Sequence, residues 1–383
     1  MSTLSPTTPR NADTQQPGAA AHSNAGGTAQ ERAAALVPRL AAAERDHDLA
    51  GRYAADNIRL IAEAGLLAIN VPADRGGLGE HLSGTTETLR ILAQGSPSTA
   101  LMLTMHTAII ANYLIDERHV PAAERAFFVK QREWAFGEAV AGKIFGVANS
   151  EIGAGGNVKN SKAELREDGL HGLKSFCSMG VNADYFMAAA RGGDGVVDYY
   201  LVRNDGTSVR AEGGWDAMGM RSSESVSLRF TGAPIVDVLG YRGMLDGVNN
   251  RHWSTLSFTA IFVGVAESLF ADIRAIAGGI LQESTTVDLH LAIEACRAFV
   301  RHLVAIEPDP TDGEYRKLVR NCKLYVTRTL AEKGTASYLA LGGSAYRFAS
   351  PISRKLRDLL AGPALRPPVG VGFDELWEEL RRK

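Results

Sequence analysis

Hydrophobic spacing changes period twice along this chain, and those two changes limit the fold more than any single motif does. Over about residues 31–66 apolar residues recur at helical spacing ("ERAAALVPRLAAAERDHDLAGRYAADNIRLIAEAGLL"), and further helices are expected near 84–95, 97–116 and 121–130. "LLAINVP" reads as an extended stretch and "ADRGGLGE" as a glycine turn. Between about 134 and 240 the runs are short and alternate, most cleanly in "SVSLRF", with turn residues recurring in "EDG", "GGDG" and "NDG". After about 247 long buried-type helices return, ending with "PISRKLRDLLAG" and an acidic helix, "DELWEEL". Short loops make antiparallel helical neighbours. The expected class is α+β. Residues 1–30 form a tail too polar to order, 31–133 an all-helical domain, 134–243 an antiparallel β domain (barrel or sandwich) and 244–383 a four-helix bundle.

Charge and cysteines narrow the function classes. A net charge of −2 supplies no overall basic field for nucleic acid or an anionic membrane, so neither is expected as a partner. The three cysteines, Cys177, Cys296 and Cys322, have neither metal-site nor disulfide spacing, which suits buried thiols and a cytoplasmic location. The N-terminal stretch lacks the apolar segment of a signal peptide. No stretch reads as a membrane span; the most apolar run, "TALMLTMHTAIIANYLI", is expected to be a buried core helix.

Five stretches, in order, carry a resemblance. They are "AEAGLLAINVPADRGGLG" (62–79), "FGVANSEIGAG" (145–155), "HGLKSFCSMGVNADYFMAAAR" (171–191), "WDAMGMRSSESVSLRFTGAPI" (215–235) and "YLALGGSAYRFASPISRKLRD" (338–358). Together they resemble the acyl-CoA dehydrogenase superfamily. The resemblance implies FAD between the β domain and the C-terminal bundle, an acyl thioester as substrate, and an electron acceptor protein or O2 as the next partner. It also implies a homodimer or homotetramer built through the bundle. A carboxylate would remove a proton while hydride passes to the flavin.

By the same resemblance Asn149 and Ser150 lie on the flavin loop, with Ser150 where the family has a threonine hydroxyl. Phe176 and Ser178 fall where an aromatic and a hydroxyl residue pack on the flavin; an ordinary strand with a core Phe is the alternative. Gly342 and Gly343 match the paired glycines near the adenine, and a plain helix break remains open. Arg221 with its serines fits either a phosphate contact or a polar strand.

The departures are specific. Gly156 replaces a serine, and Ile280 and Glu283 replace an arginine and a phenylalanine that reach a partner's FAD. The two carboxylate positions used in this superfamily hold Arg366 and Ser254, and Thr255 stands where an arginine usually starts the helix. A guanidinium cannot act as a base. Arg366 either faces an anion at the flavin or turns outward to solvent or the acidic C-terminal helix, and a relocated base is expected among Glu151, His106 and His252. FAD-dependent desaturation of an acyl thioester, or of a related carrier-bound or free small molecule of specialised metabolism, is the first expectation. A flavin monooxygenase of the same fold, using reduced flavin and O2, is the alternative, although Leu365-Arg366-Pro367 lacks the histidine of the "Met-His-Pro" found there. A non-redox, flavin-free relative is the third reading.

Overall fold

A computed structural model describes residues 26–154, 157–309, 311–343, 345–365 and 369–382. The N-terminal unit begins with α1 (Ala29–Ala50), which Thr28 and Glu31 start with a reciprocal capping box and Gly51 ends in the left-handed region at φ 58°. Helices α2 (Ala55–Glu63), α3 (Leu82–Gly95) and α4 (Pro97–Ala111) follow. Ser96 caps α4 with Pro97 at its first position. "LLAINVP", expected to be extended, instead starts as a 3-10 turn over Leu66–Ala68. α4 stops at Ala111 rather than near 116, in a second 3-10 turn.

Helix α5 (Arg125–Val140) runs ten residues past the expected end at 130. The sheet therefore begins at Phe145, not near 134. Trp134 of α5 packs edge-on to Phe145 and Tyr185 of the sheet, at 6.0 and 5.1 Å, so the helix runs on to cover the sheet.

Eight strands form one sheet: β1 (Phe145–Val147), β2 (Glu164–Arg166), β3 (Gly169–Cys177), β4 (Tyr185–Arg191), β5 (Val197–Arg203), β6 (Val209–Glu212), β7 (Val226–Ala233) and β8 (Ile235–Val238). The order is β6-β7-β3-β2-β4-β5-β8, with β1 joined to β4. Pairing is mostly antiparallel, as the alternation implied, but β1 and β2 each pair with β4 in parallel. Both faces of β4 are buried. Tyr185, Met187 and Ala189 pack toward α5, while Phe186, Ala188 and Ala190 join Leu228 and Phe230 on the other side.

The C-terminal bundle contains α6 (Arg251–Ile276), α7 (Ile280–Ala305), α8 (Gly313–Leu339) and α9 (Pro351–Ala364), with α10 (Val369–Arg381) against α8. Contrary to the sequence expectation, α6 is long and apolar enough to cross a membrane by length and composition. It is instead the central helix, with 72% of its most apolar window buried. It packs on α3, α4, α7, α8 and α9. Gly264 makes that packing possible, because a side chain there would run into the Arg90 carbonyl of α3. All three cysteines are free and buried, as expected.

Candidate functional site

The site grows from a bulge in β3. Register slips between Lys174 and Cys177, and Phe176 takes φ 56°, a conformation rare for a residue with a side chain. The bulge turns the Phe176 ring outward, where it is 56% exposed although its neighbours Ser175 and Cys177 are buried. Trp215 stands edge-on to it at 6.3 Å. The "NSEIGA" loop crosses beside the bulge, with Ser175 N–H donating to Ser150 O at 2.7 Å.

Behind Phe176 lies a chain of hydroxyls. Ser178 Oγ is 2.9 Å from Ser225 Oγ, which is 2.8 Å from Ser223 Oγ. Ser223 donates to Met220 O at 2.7 Å. Every non-glycine residue with positive φ among the described residues belongs to this region: Phe176, Met179, Met220 and Glu224. Strained backbone of this kind costs on the order of 1–3 kcal/mol per residue and is retained where the surrounding structure over-determines it. Ser175 Oγ and Ser222 Oγ are buried here with no hydrogen-bond partner among the described residues.

Thus Ser150, Phe176 and Ser178 are brought together. Asn149 adjoins them, but its Oδ1 already accepts the Ala189 N–H at 2.8 Å, which ties the loop to β4. Gly342 and Gly343 follow α8 in a turn, Gly342 at φ 77°. Arg221, read from sequence as a phosphate ligand or a strand residue, donates to the Asp48 and Ala217 carbonyls, both at 2.8 Å. It joins the turn to α1.

The candidate bases are all engaged. Glu151 is buried against Lys174 Nζ at 2.6 Å and also accepts from Ser161 Oγ (2.6 Å), Lys162 N (2.7 Å) and Ala163 N (3.2 Å). Burial opposes its ionisation, but the bonds from Lys174, Ser161 and Lys162 prevail and hold the carboxyl below its usual range. Such a carboxylate is a poor proton acceptor, so Glu151 is corrected to a structural partner of Lys174. His106 is fully buried; Phe145 N–H donates to its Nδ1 at 3.1 Å, so Nε2 carries the proton given to Leu67 O at 2.6 Å. Burial pulls its pKa down to about 4. His106 is corrected to a neutral tie between the helical unit and the sheet. His252, in the first turn of α6, gives its Nε2 to Glu307 at 2.8 Å, and Trp253 donates to the same oxygen at 2.7 Å. Ser254 and Thr255 donate back to Arg251 O. Arg366, Gly155 and Gly156 lie outside the described residues.

Lys174, Trp215 and Asp358 were not among the residues expected at the site, and Ser225 was expected only as one of the serines beside Arg221. Only Lys174 carried a signal. On alternating β3 it shares parity with buried Leu170, so it points inward and needs an acid.

The model of the acyl-CoA dehydrogenase N-terminal domain matches residues 27–118. The chain is 26% identical to L-evernosamine nitrososynthase of a Micromonospora species over 378 residues, covering 90% of this chain and 87% of that protein. It is 25% identical to the putative acyl-CoA dehydrogenase YdbM of Bacillus subtilis, covering 84% of this chain and 87% of that protein. The fold matches the structure of KijD3 in complex with FMN and dTDP-3-amino-2,3,6-trideoxy-4-keto-3-methyl-D-glucose, with a TM-score of 0.80, 24% identity and 92% of each chain covered.

Proposed function

We propose that this chain, a member of the acyl-CoA dehydrogenase superfamily, is a flavin-dependent monooxygenase that places one oxygen atom on the amino nitrogen of a small molecule. The observation that carries this reading is the side-chain chemistry around the flavin face. The superfamily's base positions hold Ser254 and Arg366, and Glu151, His106 and His252 all have protein partners. Desaturation needs a base to take an α-proton. An unprotonated amine attacks with its own lone pair and needs none. The amino sugar nitrososynthases among the relatives, from Streptomyces peucetius and Streptomyces rubradiris, support the same choice.

The residues present fit a flavin. Ser150 and Ser178 would hold the ring, the exposed Phe176 backed by Trp215 would cover it, and the partnerless Ser175 and Ser222 hydroxyls offer further hydrogen bonds. When bound, reduced flavin supplies two electrons and two protons. With O2 and an amine the balance is one hydroxylamine, one water and oxidised flavin. Phe176 and Trp215 would exclude water from the reacting nitrogen, and the serine hydroxyls would orient the ring.

FMN suits the site at least as well as the FAD expected from sequence. Ile280, 89% exposed at the start of α7, and Glu283 bring no cation to a pyrophosphate. A separate reductase would then deliver reduced flavin. A homo-oligomer is also part of the reading, supported by the exposed apolar stripe of Ile280, Val287 and Leu291 on α7.

The test is to bind FMN, reduce it without air, and then mix with 18O2 and a panel of amines. One labelled oxygen in a hydroxylamine product supports the proposal. Anaerobic reduction of the oxidised complex by acyl thioesters, with no oxygen transfer to amines, would return the chain to the dehydrogenases.

A further inference from the structure

The two side chains assigned to the flavin face converge on one backbone carbonyl. Trp215, which backs Phe176, donates its indole N–H to Met220 O at 3.1 Å. Ser178 reaches the same carbonyl through Ser225 and Ser223. Met220 has φ 52°, a conformation a methionine does not hold without support.

That support comes from the other end of the chain. Met220 N–H donates to Asp358 Oδ1 at 2.6 Å, and Asp358 lies on α9, 138 residues downstream. Asp358 is 2% exposed, so water does not compete for this bond. Its neighbour Arg357 donates to Met218 O at 2.7 Å and grips Asp48 of α1 with two bonds, 2.6 and 3.1 Å. Gly219 admits the helix, because a side chain there would meet the Arg357 carbonyl. The turn that organises the flavin face is therefore set from the C-terminal bundle.

We propose that Asp358 is a positioning residue for the flavin face. By holding the Met220 N–H it orients the Met220 carbonyl, and through that carbonyl it fixes both Trp215 with Phe176 and the Ser223–Ser225–Ser178 chain. The proposal rests on the reading of Phe176 and Ser178 as flavin contacts, but its first consequence does not need a flavin.

Two readouts separate the claims: hydrogen exchange over residues 215–225 in flavin-free protein, and FMN affinity with the visible spectrum of the complex. Asp358→Leu removes the acceptor at similar size. It is expected to speed exchange over 215–225, weaken FMN about tenfold or more and shift the flavin bands. Asp358→Asn keeps an acceptor oxygen and is expected to restore exchange, with affinity within about threefold of the unaltered protein. Should Asp358→Leu not fold, Trp215→Phe and Ser225→Ala cut the two arms beyond Met220, and each is expected to weaken FMN. Normal exchange in a folded Asp358→Leu protein overturns the proposal. So does an Asp358→Asn protein as impaired as Asp358→Leu, or FMN affinity unmoved by either arm. If the unaltered protein takes up neither FMN nor FAD, the flavin reading fails instead, and exchange alone decides whether Asp358 sets the turn.

Discussion

Lys174 and Glu151 form an ion pair 2.6 Å long inside the protein, with side chains 0% and 5% exposed. Lys174 also donates to Ser161 Oγ at 2.9 Å and to Ala189 O. The loop that carries Glu151 is thus fastened to β3 and β4.

Removing one member of a buried pair strands the other charge. Lys174→Met is expected to lower stability by about 3–5 kcal/mol in urea unfolding, and Glu151→Gln by less, because the amide keeps an acceptor oxygen for Lys174. If Glu151 were the catalytic base, Glu151→Gln would abolish turnover while leaving the unfolding midpoint unchanged.

Phe176 is exposed and strained, so stability and binding should separate there. Phe176→Gly relieves the left-handed backbone but loses the contact with Trp215. Folding stability is expected to change by less than about 1 kcal/mol. Flavin affinity should fall roughly tenfold, read as FMN fluorescence quenching. A large loss of stability with unchanged affinity would mean that Phe176 is a core residue and not a flavin contact.

Buried carboxyls give an unusual pH dependence. Burial, reinforced by Asp358, pushes Glu44 up to about 8, and burial pushes Asp358 up to about 7. The groups facing them are Asp48 of α1, Arg354 and Arg357 of α9, and Ser96. A carboxyl with a raised folded pKa binds more protons folded than unfolded. Its contribution is complete below the unfolded value and fades as pH rises through about 7 to 8. His106 acts oppositely: its folded pKa of about 4 lies below the unfolded value, so its contribution fades as pH falls toward 4. Melting temperature is expected to decline between about pH 5 and about pH 8, where the folded carboxyls still hold protons that the unfolded chain has lost, and Glu44→Gln should flatten that decline. An unchanged slope in Glu44→Gln would remove Glu44 from the account.

The α7 stripe gives the oligomer a simple check. Light scattering should find more than one chain per particle, and Ile280→Glu with Leu291→Glu should lower the mass without unfolding the protein. An unaltered protein already monomeric at micromolar concentration would remove the oligomer from the reading.

The sequence by itself determined what local pattern can carry. The periods of 3.6 and 2 placed the helical unit, the sheet and the bundle in order, and erred mainly at α5, which runs on to Val140. The residue types at 254 and 366 already excluded a carboxylate at the usual positions. Tertiary structure decided the roles. Glu151 looked like a free acid because the alternation of β3 turns Lys174 inward without saying which distant acid, here 23 residues before it, will meet it. Phe176 faces outward only because a bulge breaks the alternation of β3. Asp358 reaches Met220 across 138 residues because a glycine lets one helix meet one turn. Periodicity is a property of neighbours in the chain, whereas a buried charge finds its partner only when distant segments pack.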